Sequence, residues 1–548
     1  MLKILWNEKR LPLWVAAGLA FFGGLELVRG FTALFAPVSN DYSEMMVAGM
    51  AEQLRLTGKL EYIYAPPAAP YQMPGVQYPP LFIALTTLLM ILTGVGPVLA
   101  SRLLAWGGYA LAGMLVGLLV QRETGDKRLA FCSAFFPFTF WSVLIFINGA
   151  RPDPLALLLS LFAVYLYRSR PHFALANSLP VSEIQDTYSG KRVGQGNPTP
   201  TKFYPNQKIG RELEEEVAQG NPAPTKFYRF FGRVRISRAR LLRLALVAFV
   251  LVLAFYSKQT YLAAAAAIFF HLLLTRGRRG QAFFFGALYG LLGIIGFILC
   301  QVLSNNSFAG IFDPARAGRF IFHLAPAMVG YFVLDHAPLI ILALVVLVWQ
   351  WRRGQRFWPI YLFFATLACA SIVKDGAVDY YFNEVAYLLA VQVGIGLFLL
   401  QQARLKRSLV ALTGVQVVIA AGMFLAWNQW KDNDNFGAIY REAGQIMREY
   451  QQSGRPALVW QNNFLIDTGH TELIGDYFIY WILLGNNHRD MTPLLNDLQN
   501  QRYEMILVGS PEFRRWPPVL EQAVDRNYNL RILSGQDGRP LYWLYTRH

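Results

Sequence analysis

The chain has 548 residues, 54% of them hydrophobic and only 15% charged, with a mean hydropathy of +0.31. Several apolar runs exceed the roughly 20 residues that a helix needs to cross a bilayer. That excludes an ordinary soluble globular class and predicts a polytopic α-helical membrane protein. The net charge of +16 does not point to nucleic acid: from Asn428 onward there are 12 Lys+Arg against 14 Asp+Glu, so the basic excess lies earlier, in short loops between apolar runs, where it reports orientation.

At the N-terminus Lys3, Lys9 and Arg10 precede an apolar run that continues to about Phe35 with no small-residue cleavage site behind it, so it reads as a retained first span. Spans are expected at roughly 11–35, 98–120, 129–147, 154–168, 241–257, 260–275, 281–303, 337–351, 358–373, 384–401 and 408–427. Eleven crossings that start inside leave the C-terminus outside. They also place Arg122/Lys127/Arg128, Arg276/Arg278/Arg279, Arg352/Arg353/Arg356 and Arg404/Lys406/Arg407 on the cytoplasmic side.

The first outer loop, 37–97, opens on Asp41, continues as an amphipathic segment over 42–56, and closes on Tyr78-Pro79-Pro80. The apolar run 81–92 behind it is short. Counted as a span it would turn every later basic loop outward, so it is expected as an interfacial helix. Glu26 and Arg29 lie three apart near the outer end of the first span and share a helix face, which suits an ion pair. Cys132, Cys300 and Cys369 each fall within an apolar run and read as packing residues.

The stretch 169–240 is polar, basic and rich in Gly and Pro, with a near-repeat, GNPTPTKFY at 196–204 and GNPAPTKFY at 220–228. Its composition predicts a disordered cytoplasmic insertion. From 428 to 548 the texture changes. Segments 457–460, 505–509, 530–533 and 541–545 read as strands, and 435–452, 493–501 and 518–526 as helices, giving a small extracytoplasmic α/β domain behind a membrane domain at 1–427. That domain holds no phosphate-binding glycine loop and no nucleophile elbow.

With this topology the polar residues at the outer span ends converge on one membrane face: Asp41; Arg151 and Asp153 in Ala150-Arg151-Pro152-Asp153-Pro154; Lys258; Arg316, Arg319 and His323; and Lys374, Asp375, Asp379, Asn383 and Glu384. Each has a plainer reading. Asp41 and Asp153 suit helix caps, Lys258 a snorkelling lysine, and Glu384 an interfacial residue. His323 and His336 lack ligand-like spacing, and no metal site is expected. It is the co-location that suggests chemistry. Transfer from a lipid-phosphate donor needs a carboxylate to take the proton of an acceptor hydroxyl and cations to hold the departing phosphate. Asp41 is the candidate base, Asp153 the second carboxylate, and Arg151, Lys258 and Lys374 the candidate phosphate clamp.

Asp41, then Tyr78-Pro79-Pro80-Leu81, then Arg151-Pro152-Asp153 give an order of elements that resembles the GT-C superfamily of polytopic glycosyltransferases, in its protein O-mannosyltransferase and lipid A aminoarabinose transferase branch. Ser257-Lys258-Gln259-Thr260 and Tyr380-Tyr381-Phe382-Asn383-Glu384 resemble elements of bacterial members. The resemblance covers about residues 1–427. It implies a polyprenyl-phosphate sugar donor, inverting transfer to an envelope acceptor, and a site at the outer face of the cytoplasmic membrane. Tyr78, Arg319 and Glu384 join Arg151, Lys258 and Lys374 as expected donor-binding residues. The sequence departs from the family where an Asp-Glu pair is Asp41-Tyr42, with Glu44 further on, and where a Lys-Pro-Pro element is Tyr78-Pro79-Pro80. No cofactor is required, and a divalent cation is left open because superfamily members differ. The other classes weighed are a transporter or flippase, for which matching halves and charged mid-span residues are missing, and an envelope scaffold, which leaves the carboxylate–cation set without a role.

Overall fold

The computed structural model describes residues 10–36, 42–65, 75–147, 149–169, 238–313, 321–374, 379–402, 405, 408–432, 436–460, 464–465, 480, 483–484, 489–509, 517–534, 538 and 540–548. Asp41, Arg316, Arg319, Asp375 and the insertion at 170–237 lie outside these residues.

The membrane part is built from α1 (Leu11–Ala33), α2 (Tyr42–Thr57), α3 (Leu81–Thr93), α4 (Pro97–Thr124), α5 (Asp153–Tyr167), α6 (Arg238–Ser257), α7 (Ala263–Leu274), α8 (Arg279–Leu303), α9 (Ala325–Arg352), α10 (Phe357–Ala368), α11 (Asn383–Gln401) and α12 (Ser408–Asp432). Among the described residues seven helices are long and apolar enough to cross a membrane: α1, α4, α6, α8, α9, α11 with the turn before it, and α12. Shorter apolar helices are α3, α5, α7 and α10 with its 3-10 extension to Val373. The chain is a multi-pass helical membrane protein.

The expected crossing at 129–147 is not one helix. It runs as Lys127–Ser133, a 3-10 turn at Phe136–Thr139 and a short helix at Trp141–Leu144. Pro137 lacks the N–H that would continue the ladder, and Phe136, Phe138 and Phe140 are buried on the neighbouring helices. The expected span at 337–351 is longer than predicted, with Pro338 inside a helix that begins at Ala325.

Two positions organise the bundle. All of the spanning window that ends in α11 is buried, against 11% of that of α8. A helix apolar on all sides belongs in the core, so α11 is the axis and α8 an outer, lipid-facing member. Helix α5 is wedged between α4 and α6. Gly108 on α4 permits the approach, since a Cβ there would lie 2.9 Å from the Pro154 carbonyl carbon.

The first loop is packed rather than splayed on the surface. Helix α2 buries Met46, Val47, Met50 and Ala51 against α3 and α4. Helix α3 has 13 residues, about 20 Å of rise and too short to span. Its Thr87 hydroxyl donates to the Ala51 carbonyl at 2.9 Å, which ties the two loop helices together.

The C-terminal region adds α13 (Phe436–Gln452), β1 (Ala457–Trp460), α14 (Thr492–Gln499), β2 (Met505–Gly509), α15 (Pro518–Asn527), β3 (Tyr528–Ser534) and β4 (Pro540–Arg547). The four strands form one sheet in the order β1-β2-β4-β3. β1 pairs with β2 in parallel, with Leu458 opposite Ile506, and the other pairs are antiparallel, with Leu507 opposite Leu544 and Ile532 opposite Trp543. All four expected strands are present. β3 and β4 extend a few residues past the predicted bounds, because cross-strand pairing lengthens what local alternation marks.

Candidate active site

The site forms where the end of the first loop, the start of α5, the α6–α7 turn and the approach to α11 meet. Helix α5 begins at Asp153, with Pro152 at the cap and Pro154 just inside. Its first carboxylate is not spent on capping. An Asp153 oxygen lies 2.9 Å from Lys258 Nζ, and both side chains are buried, at 2% and 3% exposure. Lys258 directly follows α6, so the pair joins the ends of two helices packed along their length. The Ser257 hydroxyl donates to the Pro152 carbonyl at 3.1 Å and fixes the register of those ends. Lys258 is therefore not a snorkelling lysine.

Aromatic faces complete the surroundings. Lys258 Nζ lies 4.6 Å from the centre of the Tyr78 ring and 4.5 Å from that of Tyr380. The Arg151 guanidinium stacks on the other side of the cluster, 4.4 Å from the Tyr380 ring and 4.6 Å from that of Phe146. Such contacts hold a cation in place without neutralising it. Asp153 compensates Lys258, and the Tyr380 ring stands between that lysine and Arg151.

Gln77 and Tyr78 are held from several sides. Gln259 Nε2 donates to the Gln77 carbonyl at 3.2 Å, Lys374 Nζ reaches Gln77 Oε1 at 3.5 Å, and the Tyr64 hydroxyl donates to the Tyr78 carbonyl at 3.3 Å. The Gln259 amide oxygen is buried and has no hydrogen-bond partner among the described residues.

Glu384 stands one layer deeper. It is buried and accepts a hydrogen bond from the Tyr361 hydroxyl at 2.8 Å. Its neighbour Asn383 donates to the Tyr109 hydroxyl at 2.8 Å, and the Tyr387 hydroxyl donates to the Tyr109 carbonyl at 3.1 Å. The buried Tyr261, in the turn after Lys258, is within electrostatic reach of both Asp153 and Glu384.

Glu44 takes no free carboxylate to the site. It forms a buried pair with Arg102, Nε to Oε1 at 2.6 Å and a second contact to Oε2 at 3.1 Å. Arg102 also donates to the carbonyls of Leu34 and Ala36, at 3.1 and 2.6 Å, and Glu44 Oε1 accepts the Ala150 N–H at 3.1 Å. The pair thus ties together the end of α1, the start of α2, helix α4 and the residue before Arg151.

Of the expected site residues, the structure brings Tyr78, Arg151, Asp153 and Lys258 into one cluster and links Lys374 to it through Gln77. Glu384 belongs to the adjoining buried layer. Asp41 and Arg319 lie outside the described residues. Sequence reasoning missed Phe146, Gln77 and the Glu44–Arg102 pair, and it marked Tyr380 without a role. An aromatic a few residues from each candidate cation was the signal for Phe146 and Tyr380. Among the described residues no group of three His, Cys, Asp or Glu side chains could hold a metal ion.

An apolar groove of about 290 Å³ lies between α6 and α8, lined by Phe255, Tyr256, Leu262, Gly293, Phe297 and Phe312 among others. Tyr256 and Leu262, which line it, stand on either side of the turn that carries Lys258.

No protein-family model matches the sequence, and no curated protein matches it significantly. Solved structures do. The chain is similar to ArnT from Cupriavidus metallidurans bound to undecaprenyl phosphate, at a TM-score of 0.57 and 12% identity over 96% of this chain and 97% of that one. The apo state of the same protein gives 0.55 and 12%, covering 95% and 97%. The archaeal oligosaccharyltransferase AglB from Archaeoglobus fulgidus, in complex with an inhibitory peptide and a dolichol-phosphate, gives 0.50 and 12%, covering 99% of this chain and 75% of that one. The chain shares the fold of these solved structures.

Proposed function

We propose that this protein is a membrane glycosyltransferase that moves a sugar from a polyprenyl-phosphate-linked donor to a cell-envelope acceptor, with inversion. The observation that carries the reading is the buried Asp153–Lys258 pair with Arg151 behind it, set under Tyr78 at the end of the first loop. It stands in a fold whose solved examples were captured with undecaprenyl phosphate and with a dolichol-phosphate. The fold and this cation set favour the reading over a transporter or flippase.

In the proposed step the acceptor hydroxyl attacks the anomeric carbon and the bond from that carbon to the phosphate oxygen breaks. The bonding pair leaves with the phosphate, which gains negative charge. Arg151 and Lys258 meet that charge, and Asp153 and the tyrosine faces keep the lysine in place. Lys374 is the outer member of the same clamp. Asp41, at the start of the first loop, takes the acceptor proton. The free amide oxygen of Gln259 suits a sugar hydroxyl, and the apolar groove between α6 and α8 suits the first isoprene units. Glu384 positions the layer beneath. No step is assigned to a metal ion. The site belongs at the outer face of the cytoplasmic membrane, with the N-terminus and the basic turns inside and the C-terminal domain outside.

The test is donor turnover. Purified protein in lipid is given a panel of polyprenyl-phosphate monosaccharides with an envelope extract as acceptor source, and mass spectrometry follows each donor and the free polyprenyl phosphate. Consumption of one donor by the native protein and not by Asp41→Asn supports the reading. An intact protein that consumes none of a broad panel, yet moves a lipid-linked substrate across the bilayer, overturns it.

A further inference from the structure

At the membrane end opposite the candidate site, α9 and α10 join in a tight hairpin, Trp349-Gln350-Trp351-Arg352-Arg353-Gly354-Gln355-Arg356. Its place is fixed by α10, which starts beside the hairpin and ends, with its 3-10 extension, at the residue before Lys374. Gly354 closes the turn at φ +74°, a conformation that L side chains rarely adopt. Its N–H bonds to the Trp351 carbonyl at 3.0 Å and the Gln355 N–H bonds to the Gln350 carbonyl at 2.9 Å.

The three arginines are exposed. Two lie within cation–π reach of an indole: Arg353 Cζ is 4.4 Å from the Trp349 ring centre and Arg356 Cζ is 5.8 Å from that of Trp351. Among the described residues no carboxylate pairs with Arg352, Arg353 or Arg356. The other arginines with ring contacts at this membrane end differ. Arg168 is paired with Glu123, which also accepts from Trp358, and Arg122 donates to the Tyr165 carbonyl and the Ser169 hydroxyl.

We propose that this hairpin is a binding site for the headgroup of an anionic phospholipid. Three observations combine. A guanidinium held against an indole by a cation–π contact keeps all five of its N–H donors for an incoming phosphodiester, because the ring takes none of them as a carboxylate would. The contact also restricts the side chain before the lipid arrives, so less freedom is lost on binding. Trp351 is 53% exposed at the end of a spanning helix, the level at which tryptophan meets headgroups. The carbonyl end of α9 carries only about half a negative charge, so three arginines without a carboxylate partner among the described residues leave the surface positive. Orientation alone needs the charges and not the ring contacts. The inference is independent of the transferase reading, because the hairpin lies at the other end of the bundle.

The test uses the full chain reconstituted in vesicles of equal parts phosphatidylglycerol and phosphatidylcholine, then released for native mass spectrometry of the lipids it retains. The native protein is expected to keep phosphatidylglycerol in preference. Arg353→Gln with Arg356→Gln should lower that retention by roughly five-fold for each guanidinium removed. Lys127→Gln with Arg128→Gln removes the same charge from another exposed turn of that face and should leave retention intact. Trp349→Leu with Trp351→Leu keeps every arginine, and hence the orientation signal, and should also lose the preference. Equal loss in the Lys127/Arg128 control, or full preference in the tryptophan variant, would overturn the site in favour of unlocalised charge. A rise in retention when residues 181–228 are deleted would overturn it too, assigning the hairpin to the Glu-rich run at 212–216.

Discussion

Lys258 and Asp153 meet at 2.9 Å although they stand 105 residues apart, and neither side chain is more than 3% exposed. Removing one partner of such a pair strands a buried charge, which costs about 3–5 kcal/mol, whereas replacing both is close to neutral. Asp153→Asn and Lys258→Met are therefore each expected to lower thermal stability, and the double variant to recover most of it. Donor turnover should stay strongly reduced in the double variant, because the phosphate clamp has lost Lys258 and keeps only Arg151 and Lys374. Recovery of both stability and turnover would show that the pair is only structural.

The Glu44–Arg102 pair makes a contrasting prediction. It sets the register of the first loop against Ala150, next to Arg151. Glu44→Gln should cost about 3–5 kcal/mol in unfolding free energy, measured by denaturation in detergent. Glu44→Asp keeps the negative charge and should cost less, but not nothing, because the shorter side chain cannot reach both Arg102 and the Ala150 N–H.

Tyr78 is expected to act through the face of its ring over Lys258. Tyr78→Phe keeps the face over Lys258 and should leave turnover close to native. Tyr78→Leu removes a contact worth about 1 kcal/mol, so KM for the donor should rise roughly five-fold with a smaller change in kcat. Steady-state kinetics on the two variants separates these outcomes.

Asp41→Asn should lower turnover by roughly 10²- to 10⁴-fold, the usual range for loss of a general base, in a protein that still inserts and folds. Turnover near native would remove Asp41 from that role.

Deleting 181–228, within the insertion, should leave membrane insertion and donor turnover largely intact. Complete loss of activity in a well-folded deletion would show that this basic, Gly- and Pro-rich stretch takes part in function.

Features that depend on neighbours along the chain were legible in the residues alone. Apolar runs long enough to span marked the helices, and short apolar runs at 457–460 and 505–509 marked strands. Pro79-Pro80 and Pro152-Asp153-Pro154 marked the ends where helices begin, because proline acts locally on its own backbone. What a charged side chain does at such an end was not legible, since a snorkelling lysine and a buried paired one share the same local sequence. Only the packing of α5 between α4 and α6 placed Asp153 against Lys258, and only the fold of the first loop brought Tyr78 over it. The same holds for Glu44, whose partners Arg102 and Ala150 lie 58 and 106 residues away. Periodicity reports which face of a helix is apolar, whereas charge pairing across helices depends on which helices touch and at what height. The tertiary structure decided that.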